Sequence, residues 1–142
     1  LVEKDTYTMN DYRDRARRQL DFMPYAPIVF ISAKTGQRVG KVLETAMEVV
    51  RERYRRVSTA ALNKVLKEAV AKHPPPSKPG KWVRFFYATQ ADVAPPTFVF
   101  FSNEPKMIHF SYLRYIENEM REAFGFAGTP LRISFRSRHE AP

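Results

Sequence analysis

The most constraining feature of the sequence is a short, continuous apolar run, APIVFIS at residues 26–32, which lies between two helical segments. A run without alternation suits a strand buried on both faces of a parallel sheet. Apolar residues repeat every three or four positions on either side of it, over 8–22 and 39–56. The order helix, buried strand, helix is typical of α/β folds. Since one strand cannot form a sheet, we expect its neighbours to lie outside this chain, which begins at Leu1 without an initiator Met and therefore suggests a fragment.

A second unit begins near Ser58, which is a typical N-cap for the amphipathic helix that follows it. Aromatic, β-branched or alternating residues then predict three strands, with one further helix before the last of them. These strands are predicted at 82–90, 97–102 and 131–137, and the helix at 111–124. The expected fold is an α/β remnant (helix-strand-helix) over residues 1–57 and an α+β domain (α-β-β-α-β, three-stranded sheet) over residues 58–142.

The chain is strongly basic, with 24 Lys and Arg residues against 15 Asp and Glu and a formal net charge of +9. Such a balance favours phosphate-rich partners, either nucleic acid or an anionic membrane. A membrane partner is not expected, because no apolar run approaches the roughly 20 residues of a spanning helix. The absence of cysteine excludes disulfides and zinc–thiolate sites, and the three separated histidines predict no metal site.

Two stretches near the C-terminus point to a family: APPTFVFFSN at 94–103 and HFSYLRYIENEMREAFGFAGTPLRISFRSR at 109–138. With them, the chain resembles from end to end the C-terminal part of the Der (EngA) GTPases, bacterial proteins with two GTPase domains in tandem and a terminal KH-like domain. The resemblance implies that residues 1–57 are the end of the second P-loop GTPase domain and that residues 58–142 are the KH-like domain. It also implies a cytoplasmic protein that acts in assembly of the large ribosomal subunit. Its expected partners are the rRNA of that subunit and the parent's other GTPase domain.

By this resemblance, the stretch FISAKTG at residues 30–36 is the distal lip of a guanine pocket, and Ser32, Ala33 and Lys34 are nucleotide-binding residues. The Ala33 backbone N–H would donate to the guanine carbonyl, the Lys34 stem would lie along the base, and Ser32 would brace the loop. The position fits, because ligands of open α/β sheets bind beyond the carboxyl ends of the strands. Spacing alone fits equally an ordinary strand-to-helix turn in which Thr35 or Gly36 enters the helix.

The sequence lacks the parts that phosphoryl transfer requires, since it has no GxxxxGK[ST] loop and no recognisable switch segment. We therefore predict no catalytic residue, no metal ligand and no GTP hydrolysis by this chain alone. The resemblance assigns GTP or GDP with Mg²⁺ to the intact parent, and we expect no cofactor on this chain by itself.

Basic residues of the second unit are candidates for contact with RNA or the ribosome. Three arginines share the polar face of the last strand, and two lysines and one arginine surround the single tryptophan. If the strands concerned are neighbours, these cations would track phosphates and the tryptophan would stack on a base. The alternative is a solvated strand face for the arginines and a partly buried edge position for the tryptophan. The residues are Lys78, Lys81, Trp82, Arg84, Arg132, Arg136 and Arg138.

The segment GFAG at residues 125–128 fits the Gly-x-x-Gly formula on which KH domains clamp single-stranded nucleic acid. Its middle residues, Phe126 and Ala127, offer no basic side chain for phosphate. The residues favour a helix C-cap and tight turn with Phe126 packed inward.

Two other functions stay open on the sequence. One is a free-standing RNA-binding module without a nucleotide connection. The other is a protein-interaction domain whose aromatic sheet face docks on a neighbouring GTPase domain.

Overall fold

The computed structural model describes residues 6–138. Within them the order of elements is α1 (Thr6–Gln19), α2 (Val39–Arg53), α3 (Thr59–Lys72), β1 (Phe85–Asp92), β2 (Thr97–Ser102), a 3-10 helix (Pro105–Met107), α4 (Phe110–Phe124) and β3 (Arg132–Arg136). The predicted α-β-β-α-β order and three-stranded sheet of the second unit are confirmed. No helix in residues 6–138 is long and apolar enough to cross a membrane.

Local sequence signals set the ends of the helices in the second unit. The Ser58 hydroxyl accepts a hydrogen bond from the Ala61 N–H at 3.2 Å, which satisfies one of the free donors of the first turn of α3. Helix α3 ends at Lys72 with His73 as its C-cap, because three consecutive prolines follow and cannot continue it. Gly125 ends α4 at a φ of 89°, a conformation that a residue without a side chain adopts readily.

Strand β2 lies at the centre of the sheet, antiparallel to β1 and parallel to β3. Because successive side chains of a strand point to opposite faces, Phe98 and Phe100 join the core beneath α3 and α4. Val99 and Phe101 belong to the other face, which we call the outer face of the sheet. The core beneath the helices also contains Leu62, Leu66, Ala69, Tyr112, Ile116, Met120 and Phe126.

The apolar run at residues 26–32 has no regular secondary structure and belongs to no strand of the described part of the chain. Between its ends, its backbone N–H groups make no hydrogen bond within residues 6–138; Ala26 donates to Met23 and Ser32 donates to Gln37. Helix α2 beside it has no buried residue and exposes Leu43 at 68%. A groove of about 590 Å³ lies between α1, the apolar run and α2. Unpaired strand backbone and an exposed amphipathic helix are what we expect of a sheet whose other strands are not among these residues.

Candidate functional site

Residues 32–36 form a loop, exposed at residues 33–36, that is closed by hydrogen bonds between residues close in sequence. The Ser32 hydroxyl accepts from the Thr35 N–H at 3.3 Å, and the Ser32 N–H donates to the Gln37 carbonyl at 3.0 Å. The Thr35 hydroxyl accepts from the Gln37 N–H at 3.4 Å. Ser32 therefore braces the loop from both its backbone and its side chain.

The two residues at the tip of this loop keep their donors available. Ala33 and Lys34 are exposed, and neither backbone N–H is hydrogen-bonded within residues 6–138. Helix α2 begins at Val39, so neither Thr35 nor Gly36 enters it, and an ordinary turn that leads into the helix stays open as the alternative. Free N–H donors beside a lysine suit the carbonyl edge of a purine, and guanine binding here stays a prediction.

The C-terminal half of α2 packs directly on the GFAG segment. The Glu52 carboxylate accepts the Phe126 backbone N–H at 2.8 Å and pairs with Arg55 at 3.3 Å. Gly128 has a φ of 79°, and a Cβ added there would lie 2.4 Å from Val49 Cγ2. The Val49 side chain therefore lies against the Gly128 backbone, where any residue larger than glycine would clash with it.

Arg121 of α4 holds the same segment from the other side. Its guanidinium donates to the Phe126 carbonyl and to the Thr129 carbonyl, both at 3.0 Å, and pairs with Glu117 at 2.9 Å. Phe126 is 0% exposed. The cap-and-turn interpretation of GFAG is thus confirmed, and its Phe126 N–H, a donor that a clamp would offer to phosphate, already bonds to Glu52.

A second set of hydrogen bonds joins the end of α2 to the strands. Arg53 and Ala94 exchange two bonds of 2.9 Å, one from the Ala94 N–H and one from the arginine side chain. The Gln90 amide accepts from the Val57 N–H and donates to the Arg55 carbonyl, each at 2.9 Å. We call the contacts of α2 and residues 54–57 with GFAG, Gln90 and Ala94 the α2 seam.

The structure places the predicted RNA-contact residues at two ends of the sheet. Lys78 and Lys81 are joined by two backbone hydrogen bonds of 2.9 Å in the loop before β1. Trp82 follows and is 71% exposed, so a partly buried edge position for it is wrong. Arg84 is exposed, and its N–H donates to the Asn103 side chain just beyond β2 at 2.7 Å.

Strands β1 and β3 are not neighbours, because β2 lies between them. Their basic residues nevertheless meet at one end, since β1 starts where β2 and β3 finish: the Arg138 guanidinium lies 4.3 Å from the Phe86 ring centroid. Arg136 is at this end, whereas Arg132 is four residues earlier in β3, about 13 Å away. The structure therefore brings Arg136 and Arg138 to the end of the sheet where β1 starts and leaves Arg132 apart from them, and a common patch with Lys78 and Lys81 stays a prediction.

Sequence reasoning did not single out Glu52, Val49 or Asn63. An acidic residue in the last turn of a helix is unfavourable next to the helix dipole. The position of Glu52 in the sequence could therefore have indicated a contact with another part of the chain. The Asn63 amide donates to the Ala88 carbonyl at 2.9 Å and accepts the Ala88 N–H at 2.8 Å, so it covers part of the free edge of β1.

The most perturbed titratable groups lie between α3 and α4 and serve the packing of these helices. The Tyr112 hydroxyl donates to the His73 carbonyl at 2.9 Å, and the Tyr115 hydroxyl donates to the Ala69 carbonyl at 2.8 Å. Burial raises the pKa of Tyr112 to about 12, and the neighbouring Tyr115 adds to the shift. Hydrogen bonding to Glu119, at 2.8 Å, raises the pKa of Lys72. Residues 6–138 contain no cluster of three or more acidic or histidine side chains that could hold a metal ion.

The order α-β-β-α-β, with a parallel β2–β3 pair beneath two helices, defines a KH-like domain. Helix α2, which follows the Ser-Ala-Lys loop, is hydrogen-bonded to this domain. The chain belongs to the family described as the KH-domain-like C-terminal domain of EngA bacterial GTPase enzymes, whose model matches residues 56–136.

Curated relatives agree with this family. GTPase Der of Moorella thermoacetica is 56% identical over 140 residues, which cover 99% of the chain and 32% of the relative. GTPase Der of Thermomicrobium roseum is 55% identical over 130 residues, 92% of the chain and 28% of the relative. GTPase Der of Caldanaerobacter subterraneus is 51% identical over 140 residues, 99% of the chain and 32% of the relative. The chain thus spans about a third of the length of these relatives and corresponds to their C-terminal part.

Proposed function

We propose that this chain transmits the nucleotide state of a GTP-binding protein to a KH-like domain that acts in assembly of the large ribosomal subunit. In this proposal the complete protein is cytoplasmic and binds GTP or GDP with Mg²⁺. The loop at residues 32–34 contacts guanine. The KH-like domain contacts rRNA, the other GTPase domain of the same protein, or each in turn.

The observation that carries the proposal is the α2 seam. Helix α2 begins three residues after Gly36, and its last turn is bonded to the KH-like domain at GFAG and at Ala94. A helix of 15 residues is about 22 Å long and stiff, so a displacement of the loop at its start moves the domain at its end. A nucleotide shifts such an arrangement by its difference in affinity for two domain positions.

The residues present fit one part of the nucleotide. Ala33 and Lys34 present free N–H donors and an ammonium group, which suit the carbonyl edge and the face of guanine. The sequence contains no GxxxxGK[ST] loop for the phosphates, which with their Mg²⁺ would have to be held by other parts of the protein. When bound, GTP would supply the energy difference between two states, and this chain would contribute the contact to the base and its connection to the KH-like domain.

The test uses a full-length GTPase Der that carries this sequence as its C-terminal part. Its affinity for large ribosomal subunits is measured with a non-hydrolysable GTP analogue and with GDP, for the unaltered protein, for Glu52→Ala and for Glu44→Ala. Glu44 also lies on α2, is exposed and pairs with Lys41 of the same helix, so it is a matched control outside the α2 seam. We expect a nucleotide-dependent affinity that Glu52→Ala diminishes and Glu44→Ala preserves.

Two results would overturn the proposal. Indistinguishable affinities in the two nucleotide states would remove the switch. The second result is a Glu52→Ala protein whose amide exchange shows a loosened α2 but whose affinities in the two nucleotide states differ as much as before. It would show that the α2 seam does not transmit the nucleotide state.

A further inference from the structure

The register of the sheet sorts the residues of its outer face into three rows. Cα partners place Tyr87, Phe101 and Arg136 in the first row, and Thr89, Val99 and Ser134 in the second. The third row contains Asp92, Thr97 and Arg132. The helices α3 and α4 pack on the opposite face. The outer face is aromatic at one end, neutral and hydroxyl-bearing in the middle, and carries arginines along β3.

The first row contains an aromatic stack with one side open. The rings of Tyr87 and Phe101 lie 4.5 Å apart at 24°, in stacked geometry. Phe101 is buried at 6% exposure, whereas Tyr87 is 42% exposed. An exposed ring fixed in orientation by a buried ring beneath it is suited to receive a third flat group.

Charge at this end of the face selects the chemistry of that group. Arg136 shares the row with the stack, and Arg138 lies over Phe86 next to Tyr87. No ion pair engages Arg132, Arg136 or Arg138 within residues 6–138, and the one carboxylate in the three rows, Asp92, is at the far end. Cations flanking an open aromatic ring are complementary to a chain of phosphates and bases.

We propose that the outer face binds single-stranded RNA, with one base stacked on Tyr87 and the adjoining phosphates held by Arg136 and Arg138. This inference rests on the proposed function and deepens it, because it says which surface of the KH-like domain would touch RNA. The surface differs from the GFAG segment, which the α2 seam occupies. A duplex cannot use it in the same way, since its bases are already stacked on one another.

The experiment compares matched variants of this chain in binding a fluorescent single-stranded RNA of about ten nucleotides and the same strand in a duplex. Tyr87→Leu removes the ring but keeps apolar cover over Phe101, and Arg136→Gln removes the charge. The controls are Phe110→Leu and Arg114→Gln on α4, another exposed aromatic residue with an arginine 5.8 Å from its ring, on the helical side of the domain. A thermal melt of each variant verifies folding.

We expect Tyr87→Leu to weaken binding of the single strand roughly 5- to 100-fold, as the loss of one base stack would. Arg136→Gln should make the negative slope of log K against log salt shallower by about 0.7, the value for one phosphate contact to a single strand. The two control variants should retain the affinity, and the duplex should bind more weakly to the unaltered chain.

A fluorescence reporter tests the stack directly. Trp82 is the single tryptophan of the chain, so Tyr87→Trp in a Trp82→Phe background places one fluorophore at the proposed site. Its emission should be quenched on addition of single-stranded RNA, since a stacked base quenches indole.

The outcomes separate this inference from the proposed function. Binding that Phe110→Leu reduces as much as Tyr87→Leu, or binding without quenching, overturns the outer-face site and leaves RNA contact elsewhere on the domain open. If the chain does not bind RNA at low salt, the outer-face site is equally overturned, and the nucleotide-dependent binding of the full-length protein to ribosomal subunits then decides the proposed function by itself. If Tyr87→Leu impairs association with a separately expressed GTPase domain instead, the face is a protein-docking surface.

Discussion

Replacing Gly128 by alanine tests whether α2 is seated on the KH-like domain as the structure shows. The added Cβ would lie 2.4 Å from Val49 Cγ2 and 3.3 Å from Pro27 Cδ, on backbone with a φ of 79°. Val49 belongs to α2, and Pro27 belongs to the apolar run at residues 26–32. The substitution therefore forces the first unit away from the GFAG segment, or strains the backbone that carries it.

The expected cost has two separable parts. A left-handed φ costs an alanine about 1–2 kcal/mol, and overpacking at a tight contact adds about 1–3 kcal/mol. Gly80→Ala is the matched control, because Gly80 has a φ of 77° and nothing within 4 Å of an added Cβ. The difference between the two variants, about 1–3 kcal/mol, measures the contact with α2. It cannot exceed the free energy of docking α2, since undocking would relieve the clash.

Urea unfolding followed by far-UV circular dichroism gives the free energy of unfolding of each variant, and amide exchange reports whether α2 has loosened. In a Val49→Ala background the 2.4 Å clash with Cγ2 is removed and only the 3.3 Å contact with Pro27 Cδ stays tight, so the cost of Gly128→Ala should fall toward that of Gly80→Ala. Equal costs for Gly128→Ala and Gly80→Ala with Val49 present, together with unchanged exchange in α2, would refute the seating of Val49 on Gly128.

Three further predictions concern other sites. Asn63→Ala should lower the free energy of unfolding by about 1–3 kcal/mol in urea titrations, because the Ala88 N–H and carbonyl lose their partner; an effect below a few tenths would show the edge cap to be unimportant. The pKa of Tyr112 is raised to about 12, so the stability this residue confers is fully present below about pH 10 and is lost as the pH rises through 12. Tyr112→Phe should flatten the fall of the thermal midpoint over that interval, and an unchanged pH profile would contradict the assignment. Calorimetric titration of this chain with GDP should give no micromolar binding, because the phosphate loop is absent from the sequence; a micromolar Kd would mean that the base contacts suffice.

The second unit was readable from the sequence because its signals are local. The cap at Ser58, the prolines after His73 and the apolar spacing of α4 act within a few residues, and each element they predicted is present. For the first unit, the informative signal was a missing partner. A buried-type strand at residues 26–32 without neighbours predicted an incomplete sheet, and the run pairs with no strand in the described residues.

The α2 seam was beyond sequence reasoning because its partners are distant along the chain. Glu52 and Phe126 are 74 positions apart, and Gln90 meets Arg55 across 35. The same limit applies to the arrangement of the basic residues. Alternation predicted that Arg132 and Arg136 share a face, but the order β1-β2-β3, which decides what lies beside them, follows from the parallel return of β3 after α4.

The central claim, that α2 and the KH-like domain form one rigid unit, is tested most directly by a distance between two spin labels. The chain contains no cysteine, so labelled cysteines can be introduced at Met47 of α2 and Glu122 of α4, both exposed. Pulsed dipolar spectroscopy should give a single narrow distance distribution, and Glu52→Ala should broaden it. A broad or two-peaked distribution in the unaltered chain would contradict the account, because a helix that moves independently of GFAG could not transmit a nucleotide state.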